Sequence, residues 1–118
     1  MSLSESDLAC LLDIYNICLE IISFTEGMKY HHFENNKMAI RAVERDLEII
    51  GEASNKISDE TKQTLPQISW DAIRGLRNRL AHDYGNIKIF RIWNNAINDI
   101  PTLLNELKKI NELKQYIQ

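Results

Sequence analysis

The order of apolar and polar residues along the chain predicts helices. Between residues 4 and 24, apolar side chains recur every three or four positions, the spacing of one helix face: Leu8, Leu11, Leu12, Tyr15, Cys18, Leu19 and Ile22. Ser4, followed by Asp7, is typical of a helix N-terminal cap. We therefore expect a first long helix that ends at about Phe24, before the break at 25–27.

A second long helix is predicted from about Asn35 to Ile57. Its apolar stripe consists of Ala39, Ile40, Val43, Leu47, Ile50, Ser54 and Ile57. Gly51 lies inside this helix, where glycine costs about 1 kcal/mol relative to alanine. We expect a close helix crossing at Gly51, because a missing side chain allows two backbones to approach. A short helical turn then begins at Ser58 and ends before Pro66.

A third helix is predicted between Ser69, a residue type that caps helix N-termini, and Gly85, a residue type that ends helices. Its apolar face contains Ile73, Leu76, Leu80, Ala81 and Tyr84, with Trp70 at the edge. Arg77 falls inside this apolar stripe. A guanidinium in that position must be paired or must face a groove.

The last helical region begins at about Ile87. Phe90, Trp93, Ala96 and Ile97 are expected to face inward, and Pro101 to break or kink the helix. Apolar spacing then continues to Leu113. The whole pattern predicts one all-α domain over residues 1–118, an up-and-down bundle of four main helices with shorter helical pieces.

Charge is unevenly distributed along the chain. The net charge is −3, which argues against a protein that coats nucleic acid nonspecifically. Residues 70–91 nevertheless carry five arginines and lysines against two aspartates. Arg74 and Arg79 add to this positive charge around Arg77 and are candidates for RNA contact.

Cysteine content and hydropathy indicate the cellular compartment. Cys10 and Cys18 lie in one apolar helical pattern without a Cys/His framework around them, so we expect reduced thiols and no zinc site. No run of 18 apolar residues and no signal peptide is visible, so we expect a cytoplasmic protein without a membrane partner.

Two further polar groups have both a structural and a functional interpretation. Glu44, Glu48 and Glu52 follow one flank of the second helix, either as a solvated acidic ridge or with Glu48 or Glu52 paired to Arg77. His31 and His32 stand near Glu34, but adjacent helical residues diverge and a third well-spaced ligand is missing. We expect a connection without metal there, and the sequence assigns the histidine pair no role.

The third helix carries the candidate chemistry. A histidine can donate or accept a proton at cellular pH, and an arginine offers a permanent planar fork for phosphate. Arg77 and His82 together suffice for metal-independent RNA cleavage, in which a 2′-hydroxyl attacks the adjacent phosphate. No metal or cofactor is required by this scheme.

The spacing of these two residues suggests a dimer. Five residues separate Arg77 from His82, so they point about 140° apart on one helix. Gly75, Asn78 and His82 share a polar strip, and a glycine there lets a second helix approach closely. We therefore expect a homodimer whose interface includes these three residues and forms a composite cleft.

The segment Arg77-Asn78-Arg79-Leu80-Ala81-His82-Asp83-Tyr84 resembles the signature of the HEPN superfamily, an arginine followed after four to six residues by a histidine. The tyrosine two residues later is similar to the HepT-like branch. The segments 47–58, 66–87 and 92–101 resemble that branch in the same order, and the resemblance covers about residues 33–107.

The resemblance implies an α-helical dimer that acts as a metal-independent ribonuclease toxin. Arg77 and His82 would be catalytic, and Asn78 would support them. The partner would be a nucleotidyltransferase antitoxin of the MntA type, which adenylylates the motif tyrosine, here Tyr84. Whether the RNA is a tRNA or an mRNA stays open.

Two other functions remain compatible with the sequence. The chain could be a non-catalytic helical partner subunit, or nucleotide-binding module, of a nucleotidyltransferase complex. It could also be a structural dimer without a role in RNA metabolism. RNA cleavage by the purified protein separates the ribonuclease function from these two.

Overall fold

The structure is a computed structural model that describes residues 3–82 and 87–117. Within these ranges it contains helices and no strand, which confirms the predicted all-α class. The α-helices are α1 (Glu5–Thr25), α2 (Tyr30–Glu34), α3 (Lys37–Asn55), α4 (Asp59–Thr64), α5 (Trp70–His82), α6 (Ile89–Asn94) and α7 (Ile100–Lys108). A π-helical turn (Asn95–Asp99) joins α6 to α7, and a 3-10 turn (Asn111–Leu113) follows α7.

The core lies where α1 packs against α3 and α7. The amide of Asp7 donates to the side-chain oxygen of Ser4 over 3.0 Å, which confirms the predicted start of α1. The fully buried side chains include Leu11, Ile14, Cys18, Ile21, Val43 and Leu107. Leu19, expected on this face, is 41% exposed. Both cysteines are free thiols, and burial raises the pKa of Cys18 to about 12.

Helix α1 is long and apolar enough to span a membrane by length and composition alone. The core helix of a water-soluble protein passes the same test. Seven of its residues are buried against the rest of the bundle, among them Leu11, Tyr15 and Ile21. Packing in the core therefore accounts for part of the apolar composition of this helix, since 33% of its apolar window is buried.

Asp7 also ties the start of α1 to the start of α4. Its carboxylate accepts hydrogen bonds from the Ser58 amide at 3.1 Å, the Ser58 hydroxyl at 2.6 Å and the Thr61 hydroxyl at 2.6 Å. Burial raises the pKa of Asp7, but these hydrogen bonds outweigh it and leave the pKa lowered. The carboxylate thus fixes the start of α4, the helix that precedes α5 along the chain.

A second buried carboxyl group connects α1 and α3. Asp46 is 6% exposed, and its Oδ2 atom has no hydrogen-bond partner. Burial, a hydrogen bond with Glu20 and the negative charge of Glu20 raise the pKa of Asp46 to about 7, while Arg45 acts in the opposite direction. The Asp46 carboxyl group therefore keeps its proton well above the pH at which an exposed aspartate loses it.

The end of the chain differs from the prediction. The helix does not break at Pro101, which lies in the first turn of α7 directly after the π turn, and a kink there stays a prediction. The amide of Ile100 donates to the carbonyl of Asn95, five residues back. Helix α7 ends at Lys108, so the apolar residues up to Leu113 continue as a 3-10 turn.

Two residues expected to face inward are exposed instead. Phe90 is 53% exposed, since it lies about 160° around α6 from the buried Ile92. Ile97 is 39% exposed and lies within the π turn, whose wider spacing departs from the α-helical period on which the expectation rested. Trp93 and Ala96 are buried as predicted.

The connection around His31 and His32 forms the short helix α2. Phe33 anchors it, fully buried, with its ring centroid 5.2 Å from that of Trp93. The two histidine rings lie 4.0 Å apart, and the Lys29 amide donates to Nδ1 of His32. Over residues 3–82 and 87–117, no group of three histidine, cysteine or acidic side chains is placed to hold a metal.

Candidate functional site

Helix α5 is positioned by its first residue and by its packing on α3. The Nε1 atom of Trp70 donates to the carbonyl of Leu65 over 3.1 Å, and the Lys62 ammonium lies 5.7 Å from the Trp70 ring centroid. In the described part of α5 only Leu80 is buried, whereas Ile73, Leu76 and Ala81 are half-buried. The predicted apolar face therefore exists, but a single chain covers it incompletely.

The predicted close crossing at Gly51 is confirmed, and the residue that it accommodates is Arg77. A Cβ on Gly51 would overlap the Cβ of Arg77 and lie 2.5 Å from its Cγ. The aliphatic stem of Arg77 thus passes directly over the α3 backbone. This contact fixes where the guanidinium leaves the helix interface.

The guanidinium of Arg77 has few hydrogen-bond partners to balance its positive charge. Its Nε atom is buried without a hydrogen-bond partner, and Nη1 donates to Oδ1 of Asn78 over 3.4 Å, a long hydrogen bond. Among the described residues, no acidic side chain forms an ion pair with Arg77. A half-buried cation in this state is suited to bind an anion.

Of the two interpretations of the acidic flank of α3, the pairing of Arg77 with Glu48 or Glu52 is wrong. Both carboxylates pair with Arg45 instead, at 2.9 Å and 3.4 Å. Arg45 is on the same helix, three and seven residues away, so its side chain reaches both acids without crossing to α5. The acidic flank of α3 is therefore a solvated ridge of local ion pairs, which also includes Arg41 with Glu44.

His82 is the last described residue of α5, and its side chain is exposed. Asn78 is also exposed and lies four residues earlier, about 40° from His82 around the helix axis. Because the Arg77 guanidinium bends toward Asn78, it approaches the polar strip that carries His82. The guanidinium of Arg77 is thus directed toward that strip, although residues 77 and 82 point about 140° apart around the helix axis.

The remaining predicted site residues differ in their surroundings. Arg74 forms an exposed ion pair with Asp71 at 2.7 Å, a kind of contact worth little in water. Gly75 is half-buried, and the nearest atom to a Cβ there would be Nη1 of Arg79 at 3.9 Å. Tyr84, with the other residues of 83–86, lies outside the described residues.

A groove runs along the other side of α5, between this helix and the π turn with α7. Its volume is about 280 Å³. Polar side chains lining it include Arg79, Asn95 and Asp99. The apolar residues that line it are Leu47, Ile50, Ile68, Ala72, Ile73, Leu76, Ile100 and Leu103. This groove explains why the α7-facing residues of α5 are only half-buried.

Sequence reasoning did not identify Asn95 and Asp99 as candidate site residues. The Nδ2 atom of Asn95 donates to Oδ2 of Asp99 over 2.7 Å. A signal was present, because the run Asn94-Asn95-Ala96-Ile97-Asn98-Asp99 places four poor helix formers inside a helical pattern. Such a run indicates either a helix end or an irregular turn.

Comparison with known proteins identifies relatives of this chain. The family described as Ribonuclease HepT-like matches residues 14–110. The protein named "Putative RNase MJ1216" of Methanocaldococcus jannaschii is 38% identical over 102 residues, which cover 86% of this chain and 84% of that protein. "Probable ribonuclease HepT" of Thermococcus cleftensis is 33% identical over 102 residues, 86% of this chain and 93% of its own length. No solved structure matches.

Proposed function

We propose, from the premise that this chain belongs to the HepT-like ribonuclease family, that it is a metal-independent endoribonuclease toxin. The observation that supports the proposal most directly is the state of Arg77. Its guanidinium has no acidic partner among the described residues and bends toward Asn78, on the strip that carries the exposed His82. A phosphate would supply the missing anion.

The proposed reaction is an intramolecular transesterification within RNA. The 2′-oxygen forms a bond to the adjacent phosphorus, its proton passes to a general base, and the bond from phosphorus to the 5′-oxygen breaks. A general acid then supplies a proton to the leaving 5′-oxygen. His82 acts as acid or base, Arg77 stabilises the charge that develops on the phosphate, and Asn78 orients the guanidinium.

Two copies of the chain complete the cleft in this proposal. On one α5 helix the positions of Arg77 and His82 diverge by about 140°, so one helix closes poorly around a single phosphate. Gly75, Asn78 and His82 form an accessible strip on which a second α5 helix could pack across a twofold axis. The positive charges of Arg74 and Arg79 would then flank the bound RNA.

The proposal extends to a partner and a control point. A nucleotidyltransferase antitoxin of the MntA type would transfer an adenylyl group to Tyr84, two residues beyond His82. The added phosphodiester would occupy the place of the substrate phosphate, and the nucleotide would block RNA sterically. Toxin and antitoxin would meet in the cytoplasm, where cysteines such as Cys10 and Cys18 stay reduced.

The test is RNA cleavage by the purified protein in the presence of EDTA. We expect products with a cyclic or 3′-terminal phosphate and a 5′-hydroxyl. The His82→Ala substitution should lower the rate by about 10²–10⁴-fold. Lys114→Ala, which removes a positive charge outside the proposed cleft, is the control and should retain the wild-type rate. Activity that appears only with added Mg²⁺ would contradict the proposal.

The alternative function is a non-catalytic partner subunit of a nucleotidyltransferase. The incompletely covered apolar residues of α5, Ile73, Leu76 and Ala81, favour it because they could pack against another protein. In that case the chain would bind the nucleotidyltransferase tightly, and the His82→Ala substitution would leave every measured activity unchanged.

A further inference from the structure

Two aromatic rings meet on the surface where α2 packs against α6. Phe90 is 53% exposed, and its ring lies edge to face with the half-buried ring of Tyr30, at a centroid distance of 5.1 Å and an interplanar angle of 80°. The Tyr30 ring lies 6.2 Å from that of the buried Trp93. Tyr30 and Phe90, here called the aromatic pair, thus extend the aromatic part of the core to the surface.

The residues around Tyr30 hold the aromatic pair in place. Burial, the negative charge of Glu34 and a hydrogen bond with that carboxylate raise the pKa of the Tyr30 phenol, so its hydroxyl lies beside Glu34. The Lys29 amide donates to Nδ1 of His32 over 2.9 Å, which fixes the start of α2 directly before Tyr30. A ring surface that is already ordered loses little conformational entropy when a ligand binds to it.

Three exposed cations stand next to the aromatic pair along the chain. Lys29 directly precedes Tyr30, Lys88 comes two residues before Phe90, and Arg91 directly follows Phe90. Within residues 3–82 and 87–117, none of these three cations forms an ion pair. Lys88 and Arg91 also belong to the positively charged stretch of the sequence, and the proposed cleavage site uses neither of them. Their charge is therefore available to an anionic ligand.

The charge and the size of this surface favour single-stranded nucleic acid over a protein. On α6 the Phe90 ring is flanked by the exposed polar residues Arg91 and Asn94, and Ile89, 36% exposed, is its apolar neighbour. The exposed apolar area is thus small, whereas a stable protein interface covers about 800 Å² on each partner around an apolar centre. One unpaired base needs a single ring face, and its phosphates supply negative charge for the cations.

The aromatic pair lies within reach of an RNA strand bound at His82. Phe90 follows His82 by eight residues, so their Cα atoms are at most about 29 Å apart. A strand of a few nucleotides spans such a distance. A base next to the cleaved phosphate, or a few nucleotides from it, can therefore meet the Phe90 ring.

We propose that the aromatic pair is a stacking platform for one unpaired base of the RNA substrate, and that Lys29, Lys88 and Arg91 contact the neighbouring phosphates. The inference rests on the proposed function for the identity of the strand. Because every base has a π face, stacking does not select among the four bases. The platform therefore determines how tightly a single strand binds and leaves the choice of sequence to other contacts.

Binding tests the platform independently of catalysis. Two fluorescein-labelled oligonucleotides of eight residues, 2′-O-methylated to remove the nucleophile, are titrated with the full chain and followed by anisotropy. One carries uracil at every position, and the other is abasic throughout. We expect the wild-type protein to bind the uracil oligonucleotide about tenfold more tightly than the abasic one. Phe90→Leu should remove this preference without weakening abasic binding, and Phe90→Trp should keep it.

Tyr116→Leu is the matched control for the loss of an exposed ring. Tyr116 is 55% exposed, close to the value for Phe90, and this variant should keep the preference for the oligonucleotide with bases. Equal affinity of the wild-type protein for the two oligonucleotides would overturn the proposal. The same loss in Phe90→Leu and Tyr116→Leu would overturn it as well.

The salt dependence of binding tests the cations. Lys88→Ala should reduce the magnitude of the slope of log affinity against log salt concentration by about 0.7, the contribution of one phosphate contact on a single strand. Lys114→Ala removes an exposed lysine elsewhere on the chain and should leave the slope unchanged. An unchanged slope for Lys88→Ala would contradict its phosphate contact.

Two comparisons separate the platform from the other assignments. If Phe90→Leu binds RNA like the wild type but changes the oligomeric state in light scattering, the aromatic pair is a protein interface and the proposal is wrong. If the wild type cleaves RNA and Phe90→Leu keeps the preference for bases, the platform is wrong and the ribonuclease function stands. Phe90-dependent binding without any RNA cleavage would overturn the ribonuclease function and support the platform.

Discussion

Gly51 and Arg77 are packed so closely that α3 and α5 touch through a glycine backbone and an arginine stem. A Cβ at Gly51 would overlap the Cβ of Arg77, an atom that cannot move without moving its helix. The two residues therefore depend on each other. The glycine permits the crossing, and the crossing determines where the arginine head emerges.

The first prediction concerns Gly51→Ala. Alanine gains about 1 kcal/mol of helix propensity, but overpacking of a close contact costs about 1–3 kcal/mol. We expect a net loss of up to about 2 kcal/mol in the free energy of unfolding by urea denaturation, together with reduced RNA cleavage, because the Arg77 head shifts.

Gly75→Ala is the control for the stability of the single chain only, because Gly75 also lies in the proposed dimer interface. A Cβ there meets its nearest atom only at 3.9 Å, so alanine should not lower the stability of the chain. If Gly51→Ala proved as stable and as active as the wild type, the close contact would have no consequence for fold or site.

The second prediction concerns the dimer. The proposed interface contains Gly75, and a leucine there would keep a twofold-related helix away while leaving the single chain folded. We expect the wild-type protein to be a dimer at micromolar concentration by light scattering and Gly75→Leu to be a monomer. Asn105→Leu, an exposed position on α7, should remain dimeric. A monomeric wild type would exclude the composite cleft.

The third prediction follows from the carboxyl pair of Asp46 and Glu20. Burial is the first cause of the raised pKa of Asp46, about 7 in the folded chain against 3.8 ordinarily. The folded state therefore binds the proton more tightly than the unfolded state. The contribution of Asp46 to the free energy of unfolding is complete below about pH 4 and is lost as the pH rises to 7 and above. The expected loss is on the order of 2 kcal/mol.

Asp46→Asn removes this dependence, because an asparagine amide can donate to Glu20 at any pH. Urea denaturation at pH 5 and pH 8 should give a variant that is more stable than the wild type at pH 8 only. Asp13→Asn, an exposed acid on α1, serves as the control and should keep the wild-type difference between the two pH values. A wild-type stability that does not change over this range would exclude the raised pKa of Asp46.

The fourth prediction concerns Tyr84. After incubation with the cognate nucleotidyltransferase and ATP, mass spectrometry should find one or more adenylyl groups on Tyr84, and cleavage should stop. Tyr84→Phe should escape this inactivation and keep much of its activity. Tyr116→Phe, an exposed tyrosine far along the chain, should behave like the wild type. A neutralised toxin with unmodified Tyr84 would show inhibition by binding alone.

The features of the fold that could be predicted are those set by local chemistry. Ser4 and Ser58 cap α1 and α4 because their side chains accept hydrogen bonds from amides three residues on. Helical spacing likewise placed Arg77 on the face that packs against α3. The π turn was not predictable in the same way, because it depends on how Ile92 and Ile100 fit the core together.

The pairing of charges and the groove required three-dimensional information. Spacing alone could not rank Arg45 against Arg77 as the partner of Glu48, since both were within reach in principle. The carboxylate takes the cation on its own helix, which needs no tertiary contact. The unpaired Oδ1 atom of Asn95 could not be predicted either, because no residue pattern shows which polar atoms the fold buries.

The most direct test of the composite cleft mixes two inactive variants. Arg77→Ala and His82→Ala proteins are each expected to cleave RNA poorly, and they are combined in equal amounts after mild dissociation and reassociation. If Arg77 of one copy works with His82 of the other, half of the dimers are mixed and each has one intact site, so about a quarter of the wild-type rate should return. Cleavage by the mixture no faster than by either variant alone would contradict a shared active site.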